Sequence, residues 1–79
     1  MTFDALLQSN DPFLKDLATK ALRYKDEHYA GSLSDDAYAK LSAGLTDLQA
    51  LNVAAQKEET RERLAEAVEA ISQFLVAKL

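Results

Sequence analysis

The sequence predicts an all-α protein, and three observations carry that prediction. Ala, Leu, Glu, Lys, Gln and Arg, the strongest helix formers, dominate the 79 residues. Val and Ile together number four, Gly two and Pro one, so the β-branched and turn residues of a sandwich or barrel are missing. Large apolar residues recur at intervals of three and four. The predicted architecture is an elongated antiparallel helical hairpin or a small three-helix bundle, with coiled-coil packing between chains. One domain spans residues 1–79.

The elements follow in order. Thr2 is placed to cap a short helix over about 3–9, and Ser9-Asn10-Asp11-Pro12 ends it. Asp11 and Pro12 start the next helix, about 12–30. The carboxylate can accept from first-turn N–H groups, and proline needs no hydrogen-bond partner at that position. Leu14, Leu17, Ala18, Ala21, Leu22, Lys25, His28 and Tyr29 share one face of it. Gly31 supplies a left-handed residue to close it. Ser32-Leu33 links to Ser34, which caps a helix from about 35 with Asp35 and Asp36 in its first turn.

That helix carries the clearest pattern in the chain. Tyr38, Leu45 and Asn52 occupy a positions of a heptad, and Leu41, Leu48 and Ala55 occupy d positions. The stripe stops at the wholly polar run 56–63. It resumes as Leu64, Ala67, Val68, Ile71, Phe74, Leu75 and Lys78 in a helix about 57–79. The first frame would place a at Glu59, Glu66 and Gln73, so the frame has changed. Either the chain turns between about 52 and 63, or one helix continues and its apolar face rotates. The run has no Gly or Pro and offers a Glu59–Arg63 pair at i,i+4. A continuous helix from Asp35 to Leu79 would be about 68 Å long, and it is slightly favoured here, with the turn and a separate last helix as the open alternative.

Composition narrows the function classes. No Cys excludes a disulfide scaffold or a Cys-ligated zinc module. The net charge of −4 argues against nonspecific nucleic-acid binding. It is spread along the chain, without a basic arm or an acidic tail. Met-Thr-Phe-Asp opens without a basic segment, and no apolar run approaches the ~20 residues of a membrane span. A soluble protein that stays in the cytoplasm is expected, with no membrane partner and no cofactor.

No motif carries catalysis. His28, the single histidine, sits where it can meet free helix carbonyls. Asp26-Glu27 and Asp35-Asp36 are adjacent pairs that diverge on a helix, so no metal site is expected. Gly31 and Gly44 are isolated and make no phosphate loop. Gly44, inside the heptad helix, suggests either a close helix crossing or tolerated drift. Asn52 is either a buried register-setting residue or a C-terminal cap. Tyr24, Tyr29 and Tyr38 flank the Gly31 turn, at an interface or over the end of a small core. Phe74, Leu75, Val76 and Leu79 make the C-terminal end apolar on more than one side, which calls for a partner chain.

The run Gly31-Ser32-Leu33-Ser34-Asp35-Asp36-Ala37-Tyr38 resembles the helix–turn–helix pattern of SHOCT-type segments through Gly31, Leu33, Ser34 and Tyr38. It departs at Ala37, where that pattern prefers Glu. The whole layout is similar to small uncharacterised helical proteins of tailed bacteriophages: a short first helix, the Gly-x-Leu-Ser-x-x-x-Tyr turn, the Asp47-Leu48 seam, then Glu59-Thr60-Arg61 before an apolar last helix. The resemblance implies a phage-encoded accessory or virion-associated protein, in the bacterial cytoplasm or the particle, and not an enzyme.

The expected function is non-enzymatic protein–protein interaction by a small self-associating structural or assembly component. The expected contacts are Tyr38, Leu41, Leu45, Leu48, Asn52, Leu64, Val68, Ile71, Phe74 and Leu75, packed against a second copy or a larger protein. The alternative is an acidic inhibitor or regulator of a host enzyme or nucleic-acid-binding protein, presenting Asp26, Glu27, Asp35 and Asp36.

Overall fold

Each helix start in the chain is written in a short polar side chain, with one exception. A computed structural model describes residues 1–77, arranged as α1 (Phe3–Leu7), α2 (Pro12–Tyr29), α3 (Asp35–Leu45), α4 (Leu48–Ala54) and α5 (Glu58–Val76). Thr2, Asp11, Ser34 and Asp47 each accept a first-turn backbone N–H at the start of α1 to α4. Lys57, before α5, makes no such bond; Glu58 and Glu59 there favour the helix dipole instead. Gly31 follows α2 at φ 85°. Its N–H donates to the His28 carbonyl and that of Ser32 to Glu27, the paired bonds that close a helix through a left-handed residue.

Of the two readings of the segment from Asp35 onward, the turn between 52 and 63 is present and the continuous helix is not formed, because the chain breaks twice. At the first break the Thr46 hydroxyl donates back to the Ser42 carbonyl at 2.8 Å, and the Asp47 carboxylate accepts from the Ala50 N–H at 3.1 Å. These side chains offer the backbone partners that a continuing helix would otherwise supply. At the second, Ala55 and Lys57 adopt extended backbone. The Arg61 Nε–H then donates to the Ala55 carbonyl at 2.8 Å. This turn lets α5 fold back so that Thr60, Leu64, Ala67, Ala70, Ile71 and Leu75 face inward. The heptad helix is thus two short helices. Lys78 and Leu79, the end of the expected stripe, lie outside the described residues.

The elongated antiparallel hairpin is also not what forms. Two hydrogen bonds join α2 to α5: Thr60 Oγ1 to the Asp11 carboxylate, and Lys25 Nζ to the Phe74 carbonyl. Both link residues 49 apart in sequence, so α2 and α5 run parallel in one register. The return from the end of α2 to the start of α5 is made by α3 and α4. α1 packs across α2 and α5. The radius of gyration is 12.2 Å and the extents are 37 × 22 × 17 Å, close to the ~12 Å of a compact chain this long.

One core joins the helices: Leu6, Leu14, Leu17, Leu45, Leu51, Leu64, Ile71 and Leu75 with five alanines. Ala18, Ala21 and Ala67 are fully buried, the small residues that let α2 and α5 approach. Gly44 makes no close crossing, since a Cβ there would meet nothing within 4 Å. Asn52 lies half-buried within α4 and is not its C-cap, which is Ala55.

Candidate functional site

The residues expected to meet a partner divide into three sets. Leu45, Leu64, Ile71 and Leu75 are buried in the chain's own core. Tyr38, Asn52, Val68 and Phe74 are half-buried, with Tyr38, Val68 and Phe74 packed against that core. Leu41 and Leu48 stay exposed, at 37% and 38%. The frame shifts inside α4, where Leu51 and not Leu48 turns inward. The exposed aliphatic surface on α2 to α4 is therefore Leu22, Leu41, Leu48 and Val53.

A polar cluster closes the bundle where α2, α3 and α5 meet. α5 stops at Val76, so the Phe74 and Leu75 carbonyls belong to its unfinished last turn. Lys25 of α2 donates to the first at 2.6 Å, and the Tyr38 hydroxyl of α3 donates to the second at 2.8 Å. Two neighbouring helices thus cap a third. The Lys25 ammonium also sits 4.2 Å from the Phe74 ring centroid. Phe3 stacks on that ring at 3.8 Å and 3°. Lys25 is only 6% exposed, and the ring and the helix dipole end are what make its burial tolerable. Burial pushes the Tyr38 phenol above its ordinary value.

His28 stacks on Tyr38 at 4.2 Å and 9°, and its Nε2 lies 2.7 Å from an Asp35 carboxylate oxygen. Asp35 itself is almost fully exposed. A groove of about 400 Å3 runs past Lys25, His28, Tyr29, Tyr38 and Leu75. Lys25, His28, Tyr38 and Asp35 are each already engaged by a neighbour in the fold. The arrangement is a helix-end clasp, with the lone histidine spent on holding the α2–α3 turn.

At the opposite end, Asp11 joins the starts of α2 and α5. Burial disfavours its charge, but bonds from Thr60, Phe13 and Leu14 and the nearby Lys57 outweigh that and hold it below the usual carboxylate range. A groove of about 300 Å3 lies beside it, lined by Pro12, Phe13, Lys57 and Thr60.

The solvent side of α5 is acidic. Glu59, Glu62, Glu66 and Glu69 are all exposed, and their spacing of three, four and three puts them on one face. None of them has a cation within 4 Å among the described residues. The signal was present in the sequence as the polar a positions at which the heptad frame failed. Lys25 was legible on the apolar face of its helix; its carbonyl partner, 49 residues away, was not.

No family model, curated protein or solved structure matches this chain.

Proposed function

We propose that this chain is a non-enzymatic protein–protein interaction module that self-associates, a small structural or assembly component of the kind tailed bacteriophages encode. One observation carries the reading. After the helices have packed on one another, Leu22, Leu41, Leu48 and Val53 remain exposed, although Leu and Val gain most from burial. The contact between copies is helix on helix, with Leu41 of α3 and Leu48 of α4 as its centre. Coiled-coil packing is confined to these short helices, because the heptad does not run through Thr46 and Asp47. Leu45, Leu64, Ile71 and Leu75 support this surface from inside and do not touch the partner. No helix among the described residues is long and apolar enough to cross a membrane, and the proposed place of work is the bacterial cytoplasm or the particle.

The alternative reading, an acidic regulator of a basic partner, is favoured by the Glu59–Glu62–Glu66–Glu69 face. Of the acids first considered, Glu27 pairs with Arg23 and Asp35 with His28, leaving Asp26 and Asp36.

Sedimentation equilibrium separates the two. Self-association through leucines gives a mass above 8.7 kDa that persists at about 0.5 M salt, where the Debye length is only a few Å. The double substitution Leu41→Asp with Leu48→Asp returns the folded chain to monomer. A wild-type monomer at every concentration, with a basic partner released by salt, would instead establish the acidic reading.

A further inference from the structure

The helix α1 is held by apolar contacts without a polar bond from its own residues to another helix, a feature that it shares with α4 among the described residues. It has five residues, far fewer than an isolated helix needs to persist in water. Every hydrogen bond of residues 1–8 is local, and no ion pair ties them to α2 or α5 among the described residues. Its attachment is apolar: Leu6 is 1% exposed, Phe3 stacks on Phe74, and Leu7 packs against the core. Recesses flank it on both sides. One, of about 320 Å3, lies past Leu6, Leu14 and Arg63; the other, of about 350 Å3, lies past Phe3, Ala70 and Phe74. A short strip of Gln8, Ser9 and Asn10 joins it to Asp11, where α2 is capped.

From this we propose that α1 is exchangeable: the groove on α2 and α5 that it fills receives Phe3–Leu7 of a second copy. The inference rests on the self-association reading and gives it a second, distinct surface. The occupant is chosen because α1 is itself the segment seen to fit, with Phe3, Leu6 and Leu7 at i, i+3 and i+4 as its anchors. Reciprocal exchange remakes the same contacts twice, so its costs are the rearranged hinge and the association itself. The α1 of each chain acts as a built-in competitor for its own groove.

The test uses full-length chains and a labelled peptide of residues 1–8. In a Leu6→Asp chain, α1 cannot dock and the groove stands open. The peptide is expected to bind that chain saturably and the wild-type chain at least about tenfold more weakly, since only the opened fraction is competent. Leu6→Asp chains should also be monomeric where wild type is not. In wild type, the Leu6 amide, which donates to Thr2, should exchange at least about 100-fold faster than the Ile71 amide.

Equal exchange rates at Leu6 and Ile71 would overturn the proposal, whatever the variant does, because α1 would then open only with the whole fold. So would a folded Leu6→Asp chain that ignores the peptide up to about 1 mM. A Leu6→Asp chain that keeps the wild-type mass overturns exchange alone and leaves association through Leu41 and Leu48 standing. A wild-type chain that is always monomeric overturns both.

Discussion

Gly44 occupies the interior of α3, faces open space and has helical backbone. Glycine there loses more freedom on folding than alanine would. Gly44→Ala is expected to stabilise the fold by about 0.5–1 kcal/mol, read as a higher denaturation midpoint at unchanged slope. Gly31 differs, because its positive φ is required by the turn after α2. Asp11 is a second residue whose effect has a definite sign. Its native carboxyl is held below the unfolded value by Thr60, two backbone N–H groups and Lys57, against the opposing effect of burial. Its contribution is therefore complete above about pH 4 and is lost as pH falls through the lowered native value. Thr60→Val should lower stability at neutral pH and flatten the acid limb of the stability curve, as followed by urea titration from about pH 5 down to 2. Tyr38 has the opposite sense. With its native phenol raised, its contribution is present below about pH 10 and lost at higher pH.

At the scale of elements, the informative feature is how α5 ends. Its last turn is finished by Lys25 and Tyr38 from two other helices. Tyr38→Phe removes one donor and should cost about 1 kcal/mol. Lys25→Met keeps the stem but removes the donor and the cation over Phe74, and should cost about 1–3 kcal/mol. The check is a double-mutant cycle in urea. A coupling clearly different from zero would mean that the two side chains hold one helix end as a unit. Helix starts were legible because capping is local: Thr2, Asp11 and Ser34 act within three residues of themselves. The break at Thr46-Asp47 is equally local, yet the regular leucine spacing across it read as one helix. The break after Ala54 has no local polar cap. It exists because α5 buries its face against α2 only after the chain has turned back.

For the whole molecule, the parallel α2–α5 pair decides which leucines are core and which are surface. Leu64 is fully buried between elements far apart in sequence. Leu64→Ala should destabilise the chain by about 2–5 kcal/mol in chemical denaturation. Below the midpoint it should leave the sedimentation mass unchanged, because the side chain belongs to the core and not to the proposed contact. The opposite pattern is expected at Leu41 and Leu48, where exposure leaves stability little affected and association exposed to change. The expected contact list joined these two kinds of leucine, since spacing along a helix shows that a side chain belongs to an apolar stripe. It does not show whether another part of the same chain covers that stripe.

Composition and local pattern by themselves determined that this protein is helical, where its first three helices begin, and which face of each is apolar. Those properties depend on helix propensity, capping and periodicity, all of which act over a few residues. Only the tertiary structure decided that α2 and α5 run parallel, that Lys25 and Tyr38 cap α5, and that the glutamates of α5 face solvent together. Each of these depends on contacts between residues tens of positions apart. Such contacts form only when burying the paired faces outweighs the entropy of closing the loop between them.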